Sequence, residues 1–142
     1  MRIVLDTNVL YAGLRSALGA SRVILELLVA QKLTTVLTPA LFLEYEERLI
    51  GDPALHALGL TDQDLSAVLD EFAALSRRVR IDIRWRPVSA DPDDDMVIEC
   101  AVNGQADSII TFNTRDLRVA SDRFGILVLT PREFLAQFGS PT

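Results

Sequence analysis

The stretch Asp91-Pro92-Asp93-Asp94-Asp95-Met96-Val97-Ile98-Glu99-Cys100-Ala101-Val102-Asn103-Gly104, running on through Ser108-Ile109-Ile110-Thr111, reads as a helix followed by a buried strand. Asp91 and Pro92 supply an N-cap and a first-turn proline, and Val97, Ile98, Ala101 and Val102 fall on one inward face. Asn103-Gly104 closes the helix. The run from Ser108 to Thr111 is apolar without alternation, as a strand covered on both faces of a parallel sheet must be.

Working outward, the same grammar repeats. Ile3 to Leu5 is a short apolar strand ended by Asp6, with Thr7-Asn8 placed to cap a helix through Val9, Leu10 and Leu14. After a break from Gly13 to Gly19, a second helix starts at Ser21 with Val23, Ile24, Leu27 and Leu28 on one face. Thr34 to Leu37 is a strand, and Thr38-Pro39 opens a helix with the stripe Leu41, Tyr45, Leu49. Gly51-Asp52-Pro53 breaks it. Thr61 and Asp64 form a capping-box variant ahead of Leu65, Val68, Leu69, Phe72 and Leu75. Val79, Ile81 and Ile83 alternate with Arg80, Asp82 and Arg84, which predicts a half-exposed edge strand. Ile126 to Leu129 is the last strand, and Thr130-Pro131 caps a closing helix that buries Phe134, Leu135 and Phe138. Strands alternating with helices predict one α/β domain over residues 1–142: a Rossmann-like three-layer α/β/α sandwich around a parallel sheet of four to five strands.

Composition narrows the chemistry. With 49% apolar and 24% charged residues the chain is suited to a compact core, and no apolar run is long enough for a signal peptide or a membrane span, so a cytoplasmic location is expected. One cysteine, Cys100, permits no internal disulfide and reads as a small buried residue; a single histidine, His56, reads as a loop residue and argues against zinc. No G-x-G-x-x-G follows the first strand and no G-x-x-x-x-G-K-[ST] occurs, which excludes the usual glycine cradles for nucleotide phosphates. An aspartyl phosphotransferase would need a second Asp where Asn8 stands and a later lysine, whereas the only lysine is Lys32. The net charge of −6 counts against a nucleic-acid binder, yet the arginines Arg77, Arg78, Arg80, Arg84, Arg86, Arg115, Arg118 and Arg123 are clustered. They either flank an acidic pocket or form solvated faces.

The acids carry the functional signal. Asp6, at the carboxyl end of a buried strand, must be hydrogen-bonded, paired, protonated or bound to a cation, with capping of the next helix as the bland alternative. Glu44 lies beside the Leu41 and Tyr45 stripe on the side turned to the sheet, while Glu46 and Glu47 face away. Its bland reading is an i,i+4 pair with Arg48. One or two of Asp91, Asp93, Asp94 and Asp95 would satisfy a helix N-terminus; four repel one another, and a divalent cation is a natural counter-ion. Hard cations such as Mg²⁺ take oxygen ligands, so no His or Cys is needed.

These pieces, in this order, resemble the PIN-domain family, in particular the toxin-like, VapC-like ribonucleases of bacterial and archaeal toxin–antitoxin systems. The residues that carry the resemblance are Val4-Leu5-Asp6-Thr7-Asn8, Leu43-Glu44-Tyr45, Asp91-Pro92-Asp93-Asp94-Asp95 leading to Glu99-Cys100-Ala101, Ile110-Thr111-Phe112-Asn113-Thr114-Arg115-Asp116-Leu117, and Thr130-Pro131-Arg132-Glu133-Phe134-Leu135. The resemblance implies an endoribonuclease dependent on Mg²⁺ or Mn²⁺, with Asp6, Glu44, Asp94 and Asp116 as catalytic metal-site acids. Thr7, Asn8, Thr111, Asn113 and Arg115 would be substrate or supporting residues. It also implies an RNA substrate and an antitoxin protein as partners, leaving a homodimer open. Many relatives carry an Asp where this chain has Asn113, and Asp116 takes that role here. Asp94 is favoured over Asp95 by the family spacing to Ala101, two helical turns on, which turns Asp94 inward and Asp95 aside. The competing class is a non-catalytic PIN-like domain that binds RNA or a protein.

Overall fold

In the computed structural model, which describes residues 1–80 and 92–138, five parallel strands form one sheet. The elements are β1 (Arg2–Leu5), α1 (Thr7–Arg15), α2 (Ala20–Val29), β2 (Thr34–Leu37), α3 (Pro39–Leu49), α4 (Pro53–Ala57), α5 (Asp62–Leu75), β3 (Arg77–Arg78), α6 (Pro92–Asn103), β4 (Ser108–Ile110), α7 (Thr114–Phe124), β5 (Leu127–Leu129) and α8 (Pro131–Phe138). The strand order is β3-β2-β1-β4-β5, so the chain builds outward from β1 in one direction, then returns to add β4 and β5 on the other side. Right-handed crossovers put the helices of the first half on one face and α6 and α7 on the other, giving the predicted α/β/α sandwich. The direction reverses between β1 and β4. That gap is where an open α/β sheet leaves a crevice at its carboxyl edge.

Why these residues form these elements follows from local chemistry. Ile3, Val4, Leu5, Ile109 and Ile110 are fully buried, because β1 and β4 are covered on both faces. Thr38 caps α3 by accepting from the Leu41 N–H at 3.3 Å, with Pro39 in the first turn. Thr61 and Asp64 close a reciprocal capping box on α5, and Thr130 and Glu133 do the same for α8. Tyr45 is wholly buried, donates its hydroxyl to the Leu5 carbonyl, and meets Phe72 edge-on with ring centroids 5.5 Å apart. One side chain thus ties α3 to the end of β1 and to α5.

Several expectations shift on contact with the packing. The break predicted from Gly13 is absent there, because α1 continues to Arg15; Gly13 instead lets α2 approach, and a Cβ on it would lie 2.5 Å from Leu25. The edge strand is paired at Arg77 and Arg78, two residues earlier than its alternation suggests, since the chain leaves α5 at Ser76 straight into register with Val36 and Leu37. Ile81, Asp82, Ile83 and Arg84, like the proposed cap Asp91, lie outside the described residues. His56 belongs to α4 rather than a loop and its Nε2 lies 2.7 Å from Asp62. Helix α7 had no counterpart in the sequence reading. Of the closing helix, Phe134 is buried while Leu135 and Phe138 pack against the core only in part.

The closure of α6 repays attention to geometry. Gly104 is not left-handed; the positive φ falls on Gln105, at 54°. What Gly104 supplies is room, because a Cβ there would stand 2.1 Å from Val36 Cγ1 on β2 and 2.9 Å from the Cys100 carbonyl. Gly104→Ala therefore overpacks the contact between α6 and β2, and an expected loss of about 1–3 kcal/mol is measurable by urea unfolding. A variant as stable as wild type would show that this contact relaxes freely.

Candidate active site

The site begins where β1 ends. The Asp6 N–H donates to the Ile110 carbonyl at 2.9 Å, which continues the ladder one residue past the strand and places the Asp6 side chain at the mouth of the crevice between β1 and β4. Its carboxylate is held on both oxygens: Oδ1 accepts from the Thr7 N–H at 2.8 Å, and Oδ2 accepts from Thr111 Oγ1 at 2.7 Å. Asp6 itself is the N-cap of α1, the bland alternative for this residue, in place of Thr7-Asn8. Burial pushes its pKa above the ordinary 3.8, against the two hydrogen bonds and the Arg48 charge, which pull it down, while Asp93 adds to the rise.

Thr111 is fully buried, and its own N–H is fixed by the Leu129 carbonyl of β5 at 2.9 Å. Its hydroxyl also accepts from the Asn113 N–H at 2.9 Å, Asn113 Nδ2 donates to Asp116 at 2.8 Å, and Asn8 Oδ1 accepts from the Phe112 N–H at 3.5 Å. The loop after β4 is therefore knitted to the start of α1. Asp116 is exposed in the first turn of α7, with Arg115 exposed beside it. Thr7 Oγ1 is buried and finds no hydrogen-bond partner among the described residues.

Glu44 reaches the same region from α3. It is buried, as its place beside Tyr45 required, and its carboxylate accepts from Arg48 Nε at 3.2 Å. Desolvation first, and the Asp93 charge second, raise its pKa above 4.5, while Arg48 opposes both. Asp6 and Glu44 thus share two electrostatic neighbours, Arg48 and Asp93. Arg48 was read from sequence only as a partner that makes Glu44 ordinary; its role as the cation between two acids was missed, although the i,i+4 spacing was the available signal.

In α6, Asp93 is exposed, and Asp94 and Asp95 are both buried, at 8% and 3% relative exposure. Asp95, expected to turn aside, is as covered as Asp94, because α6 packs against α3 and α7 as well as β1. Among the described residues no three carboxylate, imidazole or thiol groups stand together as a ready-made metal cage. The structure brings Asp6 together with Thr7 and Thr111, Glu44 with Arg48, and Asp116 with Asn113. Cys100 is buried, donates to the Val36 carbonyl at 3.4 Å, and has a thiol pKa pushed up to about 12 by burial, as befits a packing residue. The arginines of β3 sit on the far edge strand, two strands from Asp6. No described helix is long and apolar enough to cross a membrane.

Comparison with known proteins agrees with this geometry. Two solved structures share the fold, each with a TM-score of 0.60. One is VapBC2 from Rickettsia felis bound to a DNA fragment from their promoter, at 13% identity over 90% of this chain and 97% of that one. The other is FitAcB from Neisseria gonorrhoeae, at 16% identity over 92% and 98%. Curated protein sequences give no significant match. The PIN domain family model matches residues 2–115, a span that takes in Asp6, Glu44, Asp94 and Thr111 and stops one residue short of Asp116. The chain belongs to the PIN domain family.

Proposed function

We propose that the protein is a divalent-metal-dependent endoribonuclease, acting as the toxin of a toxin–antitoxin pair. The observation that carries this reading is Asp6: a carboxylate oriented by two donors at the strand-order reversal, sharing the charges of Arg48 and Asp93 with a second buried acid on α3. The family membership and the fold likeness to VapBC2 and FitAcB support a partner protein.

The donors fit Mg²⁺ or Mn²⁺. They are oxygen atoms only, the carboxyls of Asp6 and Glu44 are raised by desolvation and by the Asp93 charge, and Thr7 Oγ1 is a buried hydroxyl without a hydrogen-bond partner among the described residues. Asp6, Glu44, Asp94 and Asp116 would hold the ion, with Asp95 as the alternative to Asp94. A cation bound there supplies Lewis acidity and a counter-charge for the scissile phosphate. The chain's own residues do the rest. Thr111 and Thr7 keep the Asp6 carboxylate aimed, Asn113 holds Asp116 against the strand end, and Arg115 offers a donor to a flanking phosphate. Affinity for RNA comes chiefly from such backbone contacts, and each phosphate so neutralised makes binding more sensitive to salt. The Glu44–Arg48 pair favours a second reading, a domain that keeps the pocket and binds without cutting.

Asp6→Asn is expected to abolish Mg²⁺- or Mn²⁺-dependent cleavage of RNA while the metal-free variant melts no lower than metal-free wild type, because one buried charge is removed. A variant that still cuts would sink the assignment. Asp94→Asn is expected to reduce turnover by orders of magnitude and to blunt the rise in melting temperature that millimolar Mg²⁺ or Mn²⁺ produces. The same loss in Asp95→Asn, with Asp94→Asn normal, would transfer the ligand to Asp95.

The raised pKa values of Asp6 and Glu44 fix a pH dependence. An acid whose pKa is higher in the folded than the unfolded chain favours folding below the unfolded value and loses that contribution as pH rises through the folded one. The contribution of these two groups to metal-free stability is thus greatest below pH 3.8 to 4.5 and gone once both are ionised. Metal needs them ionised. The metal-induced shift in melting temperature should therefore fade on acidification above the ordinary carboxylate range, and a shift that persists to the ordinary range would place the metal on other acids.

A further inference from the structure

A cavity of about 500 Å³ opens beside Asp6, bounded by Thr7, Asn8, Tyr11, Glu47, Arg48 and Asp52. We propose that it is a nucleotide subsite which reads a guanine beside the bond to be cut, with Arg48 on the phosphate and Asp52 as the residue that sets base preference. The proposal rests on the ribonuclease reading above and goes beyond it by naming a base.

The order of charges along the cavity carries the argument. Helices α1 and α3 pack together, and the last turns of α3 bring Arg48 beside Glu44 and within electrostatic reach of Asp6. Thr7 and Asn8 lie in the first turn of α1 and Tyr11 lies about one turn, or about 5.4 Å, further out. On α3, Arg48 stands one turn beyond Glu44, and Asp52 follows where the helix has ended. The end nearest the acids thus has the arginine. Among the described residues Arg48 gives Nε to Glu44, at 3.2 Å, and its side chain is 62% exposed, so the remaining guanidinium N–H groups can meet a phosphate oxygen.

The far end has two carboxylates, Glu47 and Asp52, which can only accept, with the Arg15 charge close enough to act on both Tyr11 and Asp52. Asp52 is fixed: its Oδ2 accepts from the Tyr11 hydroxyl at 2.8 Å and from the Leu55 N–H at 3.0 Å, and the Ala54 N–H also supports the carboxylate. The Tyr11 bond holds the Asp52 pKa below its usual value, so the acceptor stays ionised. An edge of acceptors selects an edge of donors. Guanine offers two adjacent ones on its Watson–Crick edge, N1–H and N2–H₂, whereas adenine, cytosine and uracil each set an acceptor beside their donor. Single-stranded RNA exposes that edge, and an aromatic ring such as Tyr11 is a common stacking partner for the base.

Asp52 also caps α4, and Asn serves as well in that role while still accepting from Tyr11. Asp52→Asn therefore keeps the fold and changes only the pattern offered to the base. The test uses short oligoribonucleotides that differ by one base, G or A, in an otherwise uniform uridine run. Cleavage with Mg²⁺ or Mn²⁺ is followed for wild type, Asp52→Asn and Arg48→Gln, and binding is followed by fluorescence anisotropy in EDTA, where nothing is cut. Wild type should prefer the G oligonucleotide by roughly tenfold in both measurements, and Asp52→Asn should lose that preference with an unchanged melting temperature. Arg48→Gln should weaken binding to both alike and lower the salt dependence by about one charge. Equal binding of G and A by wild type, or a preference that survives in Asp52→Asn, overturns the subsite. A G preference in binding without any cleavage overturns the ribonuclease reading and leaves the subsite standing.

Discussion

Everything near the crevice depends on the cost of placing a carboxylate directly after Ile3, Val4 and Leu5, three strand residues that are wholly buried. Asp6 meets that cost with donors from two directions, its own helix start and the neighbouring strand end. The first fixes α1 to begin at Thr7. The second requires β4 to lie beside β1 in the register that pairs Leu5 with Ile110, since only then does Thr111 stand opposite Asp6. Strand order, helix start and side-chain orientation are thus one constraint rather than three. The raised pKa of Asp6 shows that the donors answer the desolvation only in part, which leaves the position receptive to positive charge.

A second acid is brought to this point by a phenol. Tyr45 reaches from α3 to the Leu5 carbonyl, a group at the end of β1. Because Glu44 precedes it on the helix, the anchor sets how far Glu44 extends over the sheet edge, and Arg48 follows one turn later. Adjacent residues thus have different settings: Tyr45 is wholly buried in the core, and Glu44 is a buried carboxylate at its margin, paired with Arg48.

Much of this was legible in sequence, for identifiable reasons. Apolar runs ending in Asp6 and Thr111, and capping signals at Thr38, Thr61 and Thr130, are local patterns with local causes, and the fold class follows from their alternation. Glu44 could be picked out because its neighbours Leu41 and Tyr45 declare which face is inward. What sequence could not give were relations between elements. The amphipathic helix α7 is short of apolar residues, with Leu117 and Ala120 its buried ones, and it offers little periodic signal. The dual burial of Asp94 and Asp95 depends on which neighbours α6 has, and the need for Gly104 on the position of Val36 in another strand. Arg48 gained meaning only when Asp6, forty-two residues away in sequence, was seen beside it.

The clamp on Asp6 also has an order in time. Thr111 is positioned through its N–H by Leu129, so the hydroxyl that aims Asp6 is not fixed until β5 has paired with β4. A chain folding as it emerges amino-terminus first therefore presents Asp6 well before the strand pairing that completes its clamp.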